Sequence, residues 1–441
     1  MQATQPANVS PPEEASAVTE FYFQWHITNK CNKRCTHCYH ADYDAGAELE
    51  LHQLFDAASR MEQAVSAWGR TGVMSLTGGE PFMRRKELFA LMERMEKNKI
   101  FSYTDILTNG SMLTKDDCQI LGSTTFLRRV QLSLEGSSPA INDAIRGKDS
   151  FHSTIRAIEM LKAHNVEVAV MMTLSRFNVA DALPLLEVLA ELEVDTFAFE
   201  RFIPEGQAES QKDQVLSPEE LKNIFSAIHD WGFSHAVPRV LMYRPLMCLL
   251  APDSPYVGAM CSVGINALSI LPDGTIFPCR RLPMPLGNIL SDSLHDIWMQ
   301  SPMLWQARTP SAIKGKCGRC KYLPICRGCR AQALAMTGDW LEEDPQCWLD
   351  TREWRLPANV QLGHPEGTDI FFAYNSVSGE QFELNETAYV ALQAIKSAPS
   401  SVSNLVYEIG RSFEADTEEI DKDITELFGI FAEKGLVESI E

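Results

Sequence analysis

Between about residues 21 and 202 the chain alternates short apolar runs with helical stretches, and no other feature restricts the fold as strongly. FYFQWHIT (21–28), VMSLTGGEP (73–81), YTDILTNG (103–110), RRVQLSLEG (128–136), VEVAVMMTL (166–174) and TFAFERF (196–202) read as six strands. The stretches 49–69, 86–98, 114–122, 151–164 and 181–192 between them read as helices. Strand, helix, strand at this spacing predicts an α/β fold, a parallel sheet covered by helices. In such sheets the loops leaving the C-terminal strand ends carry the site. Cys31 to Cys38, Gly78-Gly79-Glu80-Pro81, Thr108-Asn109-Gly110 and Ser133 to Gly136 all follow strands and are expected on one rim.

The 441 residues exceed one small core and suggest two or three domains. The 39 basic and 59 acidic side chains leave a formal charge of -20, which repels a phosphate backbone, so no nucleic acid is expected as partner. The amino-terminal stretch MQATQPANVSPPEEASAVTE lacks a cationic start and an apolar h-region, and no segment has the eighteen or more apolar residues of a membrane span. A flexible tail over 1–20, no membrane contact and a cytoplasmic location are the expectations. In that compartment the twelve cysteines stay reduced. Ten of them fall into two groups, 31, 35 and 38, then 261, 279, 317, 320, 326, 329 and 347, and clustered reduced thiols point to metal. Cys118 reads as a buried thiol.

The composition changes twice more. Segment 236–356 is rich in Cys, Pro and Gly, with brief elements such as ALSILPDGTIFPC, where Asp273-Gly274 marks a hairpin turn; bound metal is expected to hold its fold. From 357 the cysteines stop. DIFFAYNSVSGEQFEL reads as two strands, and ETAYVALQAIKS, SVSNLVYEIGRSF and EEIDKDITELFGIFAEKGLV as amphipathic helices, the last ending at Gly435. The pattern is that of a small winged helix-turn-helix unit over 357–441.

Three thiols leave a tetrahedral site one ligand short. Catalytic zinc leans on His and Glu and structural zinc takes four ligands, whereas a [4Fe-4S] cluster bound by three cysteines keeps one iron free for a cofactor. Cys31-x3-Cys35-x2-Cys38 after the first strand resembles the radical S-adenosylmethionine (SAM) superfamily. The resemblance implies a partial (β/α)6 barrel over 21–235, a [4Fe-4S] cluster on Cys31, Cys35 and Cys38, and SAM chelated by the open iron and cleaved to a 5′-deoxyadenosyl radical. It also implies SAM contacts from Gly78, Gly79, Glu80 and Pro81 for the amino group, from Asn109, Ser133 and Glu135 near the ribose, and from Arg146 for the carboxylate. Charges on SAM taken out of water need such partners.

Cys261, Cys279, Cys317-x2-Cys320-x5-Cys326-x2-Cys329 and Cys347 resemble the SPASM extension of radical SAM peptide maturases, except that x3 is usual where Arg327-Gly328 stands. The resemblance implies one auxiliary [4Fe-4S] cluster on Cys317, Cys320, Cys326 and Cys347 and another on Cys261, Cys279 and Cys329, with Cys248 or an open iron completing it; structural zinc is the alternative. Sulfatase maturases carry an aspartate after the second motif cysteine. Here Arg280 stands there and cannot accept a proton, which disfavours formylglycine formation. Residues 365–440 resemble a PqqD-like recognition element, which implies a leader peptide bound as an added strand. Together these imply a peptide-modifying oxidoreductase or cross-linking maturase that acts on a ribosomally made precursor and draws electrons from a donor such as flavodoxin or ferredoxin. The alternatives are a radical SAM/SPASM enzyme acting on a small molecule such as a tetrapyrrole, or a non-catalytic iron–sulfur peptide-binding protein.

Overall fold

The computed structural model describes residues 20–440 except 42, 44, 45, 253, 255, 350, 351 and 414–416. The expected tail over 1–20 therefore lies, Glu20 apart, outside the described residues. Two compact units divide the chain at 347/348.

In the first unit the six expected strands form as β1 (Glu20–His26), β2 (Thr71–Thr77), β3 (Phe101–Thr108), β4 (Leu127–Ser133), β5 (Val168–Leu174) and β6 (Thr196–Arg201). They lie side by side in sequence order and every neighbouring pair is parallel. A short β7 (Arg239–Val240) extends the sheet beyond β6. Helices Leu51–Ala67, Arg85–Asn98, Lys115–Ser123, Ser150–Lys162 and Ala182–Glu191 make the expected crossovers. Between β4 and β7 two further helices form. Pro139–Arg146 starts on Ser138 with proline in its first turn, and Pro218–Ser234 starts on Ser217, whose hydroxyl accepts from the Glu220 amide in a capping box.

The pleat sorts the strand residues by polarity. Phe21, Phe23 and Trp25 on β1, Met74 and Leu76 on β2, and Val130 and Leu132 on β4 are buried. Their alternates Tyr22, Gln24, Ser75, Thr77, Arg129, Gln131 and Ser133 line a cavity inside the curved sheet. Period-two alternation thus builds an apolar jacket under the helices and a polar lumen.

The Asp273-Gly274 hairpin forms as β8 (Ala267–Ile270) and β9 (Thr275–Phe277), followed by β10 (Gly287–Asn288). β8 pairs parallel with β1, so the cysteine-rich segment continues the barrel sheet into ten strands, an arrangement the sequence did not announce.

The second unit holds β11 (Glu353–Arg355), β12 (Val360–Gly363), β13 (Phe371–Asn375), β14 (Gln381–Leu384), β15 (Ser400–Ser401) and β16 (Glu438–Ile440), with helices Glu386–Ser397, Val402–Phe413 and Thr417–Glu433. The expected β13–β14 hairpin and three helices are present; β12 adds to the hairpin, and β15-β11-β16 form a second small sheet. Trp354, Leu392, Leu405, Ile424 and Phe428 centre its core.

Candidate functional site

The loop after β1 carries Cys31, Cys35 and Cys38, and the turn after β2 holds it by its backbone. The Gly79 amide donates to the Thr28 carbonyl at 2.8 Å and the Glu80 amide to the Lys30 carbonyl at 2.8 Å. A Cβ on Gly79 would strike the carbonyl oxygens of Asn29 and Lys30, and one on Gly78 that of Thr28. Only glycine permits this approach. Gly79→Ala is expected to cost about 1–3 kcal/mol by overpacking and, because the displaced atoms belong to the cysteine loop, to lower bound iron. Thermal unfolding and iron analysis of the same preparation check both.

Gly78, Gly79, Asn109, Ser133 and Arg146 line the cavity together with the three cysteines. Glu80, Pro81 and Glu135 stand behind this wall. Glu80 is fully buried, and its carboxylate accepts from the Thr108 hydroxyl at 2.7 Å, the Asn109 amide at 2.8 Å and the Phe82 amide at 3.1 Å. Burial pushes this carboxyl up despite those donors. The arrangement ties the β2 turn to the end of β3. Pro81 opens the 3-10 turn Pro81–Arg84.

Glu135 is likewise buried and accepts from the Thr173 amide at 2.7 Å and from Arg146 Nε at 3.2 Å, with His37 Nε2 at 3.1 Å. Burial acts to raise its carboxyl, but His37 and Arg146 outweigh it and hold the group below the usual carboxylate range. Arg146 also places Nη1 3.8 Å from Cys35 Sγ, and Asn109 Nδ2 lies 3.9 Å from Cys31 Sγ. Both rim residues thus offer donors to sulfur. Burial pushes the Cys31 thiol up to about 11 and raises that of Cys35. Thiolates there need a strongly cationic partner, which irons supply.

The later cysteines separate into two groups. Cys261, Cys279 and Cys329 pack around Ile203, Val263, Leu282, Ala331 and Trp340, while Cys317 packs with Ile313 and Leu323. Asp344 joins them: it is buried, grips Arg201 in two hydrogen bonds of 3.0 and 2.8 Å, accepts from the Cys329 amide at 2.7 Å, and donates its own amide to Cys317 Sγ at 3.4 Å. Sequence reasoning missed Asp344 and Arg201, since nothing local marks a pair 143 residues apart. Cys248 is buried as expected of a lone thiol. It faces Cys326, with Cys320 near, which is the other group from the one its fourth-ligand role presumed. That contact pulls the Cys326 thiol down to about 7. Cys118 is buried on the helix Lys115–Ser123, as expected.

A tetrahedral zinc holds thiolates about 3.8 Å apart. Among the described residues no three Cys, His, Asp or Glu side chains are gathered to hold a single metal ion. In a [4Fe-4S] cluster each cysteine takes a different iron.

The cavity itself is about 540 Å³. Beyond the rim residues it is walled by Arg128, Arg129, Arg201, Arg244, Arg280 and Arg281, with Asp105 and Glu200 among them. These arginines are spread from 128 to 281 in the sequence, and only the curvature of the sheet collects them.

Comparison with known proteins agrees with this geometry. The profile of the radical SAM superfamily matches residues 25–189, that of an iron–sulfur cluster-binding domain (SPASM) 261–330, and that of coenzyme PQQ synthesis protein D (PqqD) 364–437. Among curated proteins, the AdoMet-dependent heme synthase of Methanosarcina barkeri (strain Fusaro / DSM 804) is 27% identical over 73% of this chain and 95% of its own. The mycofactocin maturase MftC of Mycobacterium tuberculosis (strain ATCC 25618 / H37Rv) is 29% identical over 77% of this chain and 86% of its own. Among solved structures, Streptococcus suis SuiB bound to precursor peptide SuiA superposes with a TM-score of 0.62 at 18% identity, over 75% of this chain and 76% of that one.

Proposed function

From a chain that is a radical SAM/SPASM enzyme with a C-terminal PqqD-like domain, whose cofactors are SAM, a [4Fe-4S] cluster and auxiliary clusters, we infer a maturase of a ribosomally synthesised precursor peptide. The observation that carries the reading is the second unit. Its β12-β13-β14 sheet ends in a strand, β14, with one side unpaired among the described residues, and the segment matches the PqqD profile. An extended leader peptide can add to such an edge through main-chain hydrogen bonds.

In this reading Cys31, Cys35 and Cys38 hold the cluster that binds SAM; Cys317, Cys320, Cys326 and Cys347 hold one auxiliary cluster, and Cys261, Cys279 and Cys329 another. Gly78 and Gly79 offer backbone at the SAM amino group, Asn109 and Ser133 meet the ribose, and Arg146 pairs with the carboxylate. Glu80 and Glu135 position these groups from behind. When bound, SAM supplies a 5′-deoxyadenosyl radical that abstracts hydrogen from the substrate. The chain orients both molecules, and the polar lumen holds the substrate. A small one-electron donor such as flavodoxin or ferredoxin would reduce the cluster. No described helix is long and apolar enough to cross a membrane.

The test is to reconstitute the full chain anaerobically with iron, sulfide, SAM and reductant and add candidate precursor peptides from neighbouring reading frames. A mass change in one peptide, with 5′-deoxyadenosine released and KM raised at least about tenfold when the leader is removed, is the expected result. The heme synthase relatives favour a second reading, a tetrapyrrole substrate. Turnover of a porphyrin with every peptide untouched would replace the first reading by the second.

A further inference from the structure

Among the described residues the arginines around the cavity have close counterions, with one exception. Arg146 meets Glu135 at 3.2 Å and Arg201 meets Asp344 at 2.8 Å; Arg244 and Arg281 each meet Glu200 at 2.9 Å; Arg128 and Arg129 share Asp105 at 2.6 and 3.3 Å. Arg280 is different. Its nearest carboxylate, Glu205, is 4.0 Å away, and both Arg280 Nε and Glu205 Oε2 are buried without a hydrogen-bond partner. The side chain is only 12% exposed. It lies over the ring of Tyr39, 4.7 Å from its centroid, immediately beyond Cys38. A guanidinium so placed is fixed beside the cluster loop, faces the lumen, and has donors to spare.

The surrounding charge points the same way. Glu200 serves two arginines and Asp105 serves two, so the wall's arginines outnumber its carboxylates. A buried guanidinium donor left without an acceptor is costly unless a ligand completes it. The planar fork of arginine matches a carboxylate with two parallel hydrogen bonds.

We propose that the substrate presents a carboxylate to Arg280, which anchors it beside the SAM site. The proposal rests on reading the cavity as the active site of a radical SAM/SPASM enzyme. It adds a substrate class to that reading: an acid, supplied either by the terminus or an acidic side chain of a peptide or by a carboxylated side chain of a tetrapyrrole. The SAM carboxylate does not need Arg280, because that reading assigns it to Arg146, which stands beside Glu135 and Cys35.

The experiment uses the reconstituted full chain with SAM. Binding of coproporphyrin III is compared with that of its tetramethyl ester, and binding of the peptide turned over in the maturation assay with that of its C-terminal amide and of its form with Asp and Glu replaced by Asn and Gln. In at least one pair the acid is expected to bind at least about tenfold more tightly, and Arg280→Gln to erase that preference while the SAM dissociation constant holds; Arg280→Lys keeps charge without the fork and retains part of it. The pair that discriminates names the source of the carboxylate. Equal binding of acid and neutral forms in both pairs overturns the proposal without any variant. So does a weakened SAM affinity in Arg280→Gln, which would assign the residue to the cofactor. Peptide turnover together with equal binding of acid and neutral forms in both pairs sinks the anchor and spares the maturase. Acid-dependent porphyrin binding with no peptide turnover does the reverse.

Discussion

Cys35→Ala is expected to leave the anaerobically reconstituted enzyme short of about four irons per chain and to bring 5′-deoxyadenosine release down to the level of a protein-free control. Two thiols cannot hold a cluster that already makes do with three, and the substitution removes the sulfur that Arg146 approaches at 3.8 Å. The later cysteines are untouched, so the loss is a difference against a remaining iron content rather than a total loss of colour. Iron analysis and product chromatography on matched samples check it. A variant that keeps its full iron and still releases 5′-deoxyadenosine would remove the Cys31–Cys38 loop from the chemistry.

Asp344→Ala carries the second large effect, this time on stability. The carboxylate is inaccessible to solvent and bonds to Arg201, to the Cys329 amide and to the Gln346 amide. Removing it leaves a buried guanidinium without its counterion and a cysteine loop without its acceptor. Breaking a buried pair from one side costs about 3–5 kcal/mol, a large part of the roughly 5–15 kcal/mol that holds a domain together. Denaturant unfolding of the full chain should show the transition of the first unit at lower midpoint, with that of the second unit unmoved. An unshifted first transition would mean that Arg201 finds another partner. The sign of the pH dependence follows from the same pair: burial acts to raise the Asp344 carboxyl, but Arg201 outweighs it and holds the group below the ordinary range. Its contribution is therefore complete at neutral pH, stays so above the ordinary aspartate range, and is lost as pH falls from that range through the lowered value in the folded protein.

Much of this protein could be read from its residues, for identifiable reasons. The strands and the rim declared themselves because periodicity and loop position are local properties: FYFQWHIT and the cysteines that follow it need no distant partner to be recognised. The hairpin at Asp273-Gly274 was equally local. The lumen was not. Arg129, Gln131 and Ser133 alternate with Val130 and Leu132, which on a flat sheet means a solvent face; only the curvature of the sheet turns that face inward. The roles of Glu80 and Glu135 were hidden for a similar reason. A carboxylate at a strand end suggests a ligand contact, and only the three-dimensional donors from Thr108, Asn109, Thr173 and Arg146 reveal a strut. Cys248 could not be allotted to its neighbours by counting residues, because the turn that brings it to Cys326 follows no spacing rule.

The pairing of β8 with β1 has a further consequence. The strand that begins the radical-generating half is covered on its outer side by a strand that arrives some 240 residues later, Tyr22 through Trp25 against Ala267 through Ile270. A fragment ended at residue 235 would bare a row of main-chain N–H and C=O groups along that side, the kind of border at which sheets from different molecules fuse. The cysteine-rich segment is thus also a selvedge: it covers the flank of β1 and joins the two redox-bearing halves by peptide hydrogen bonds.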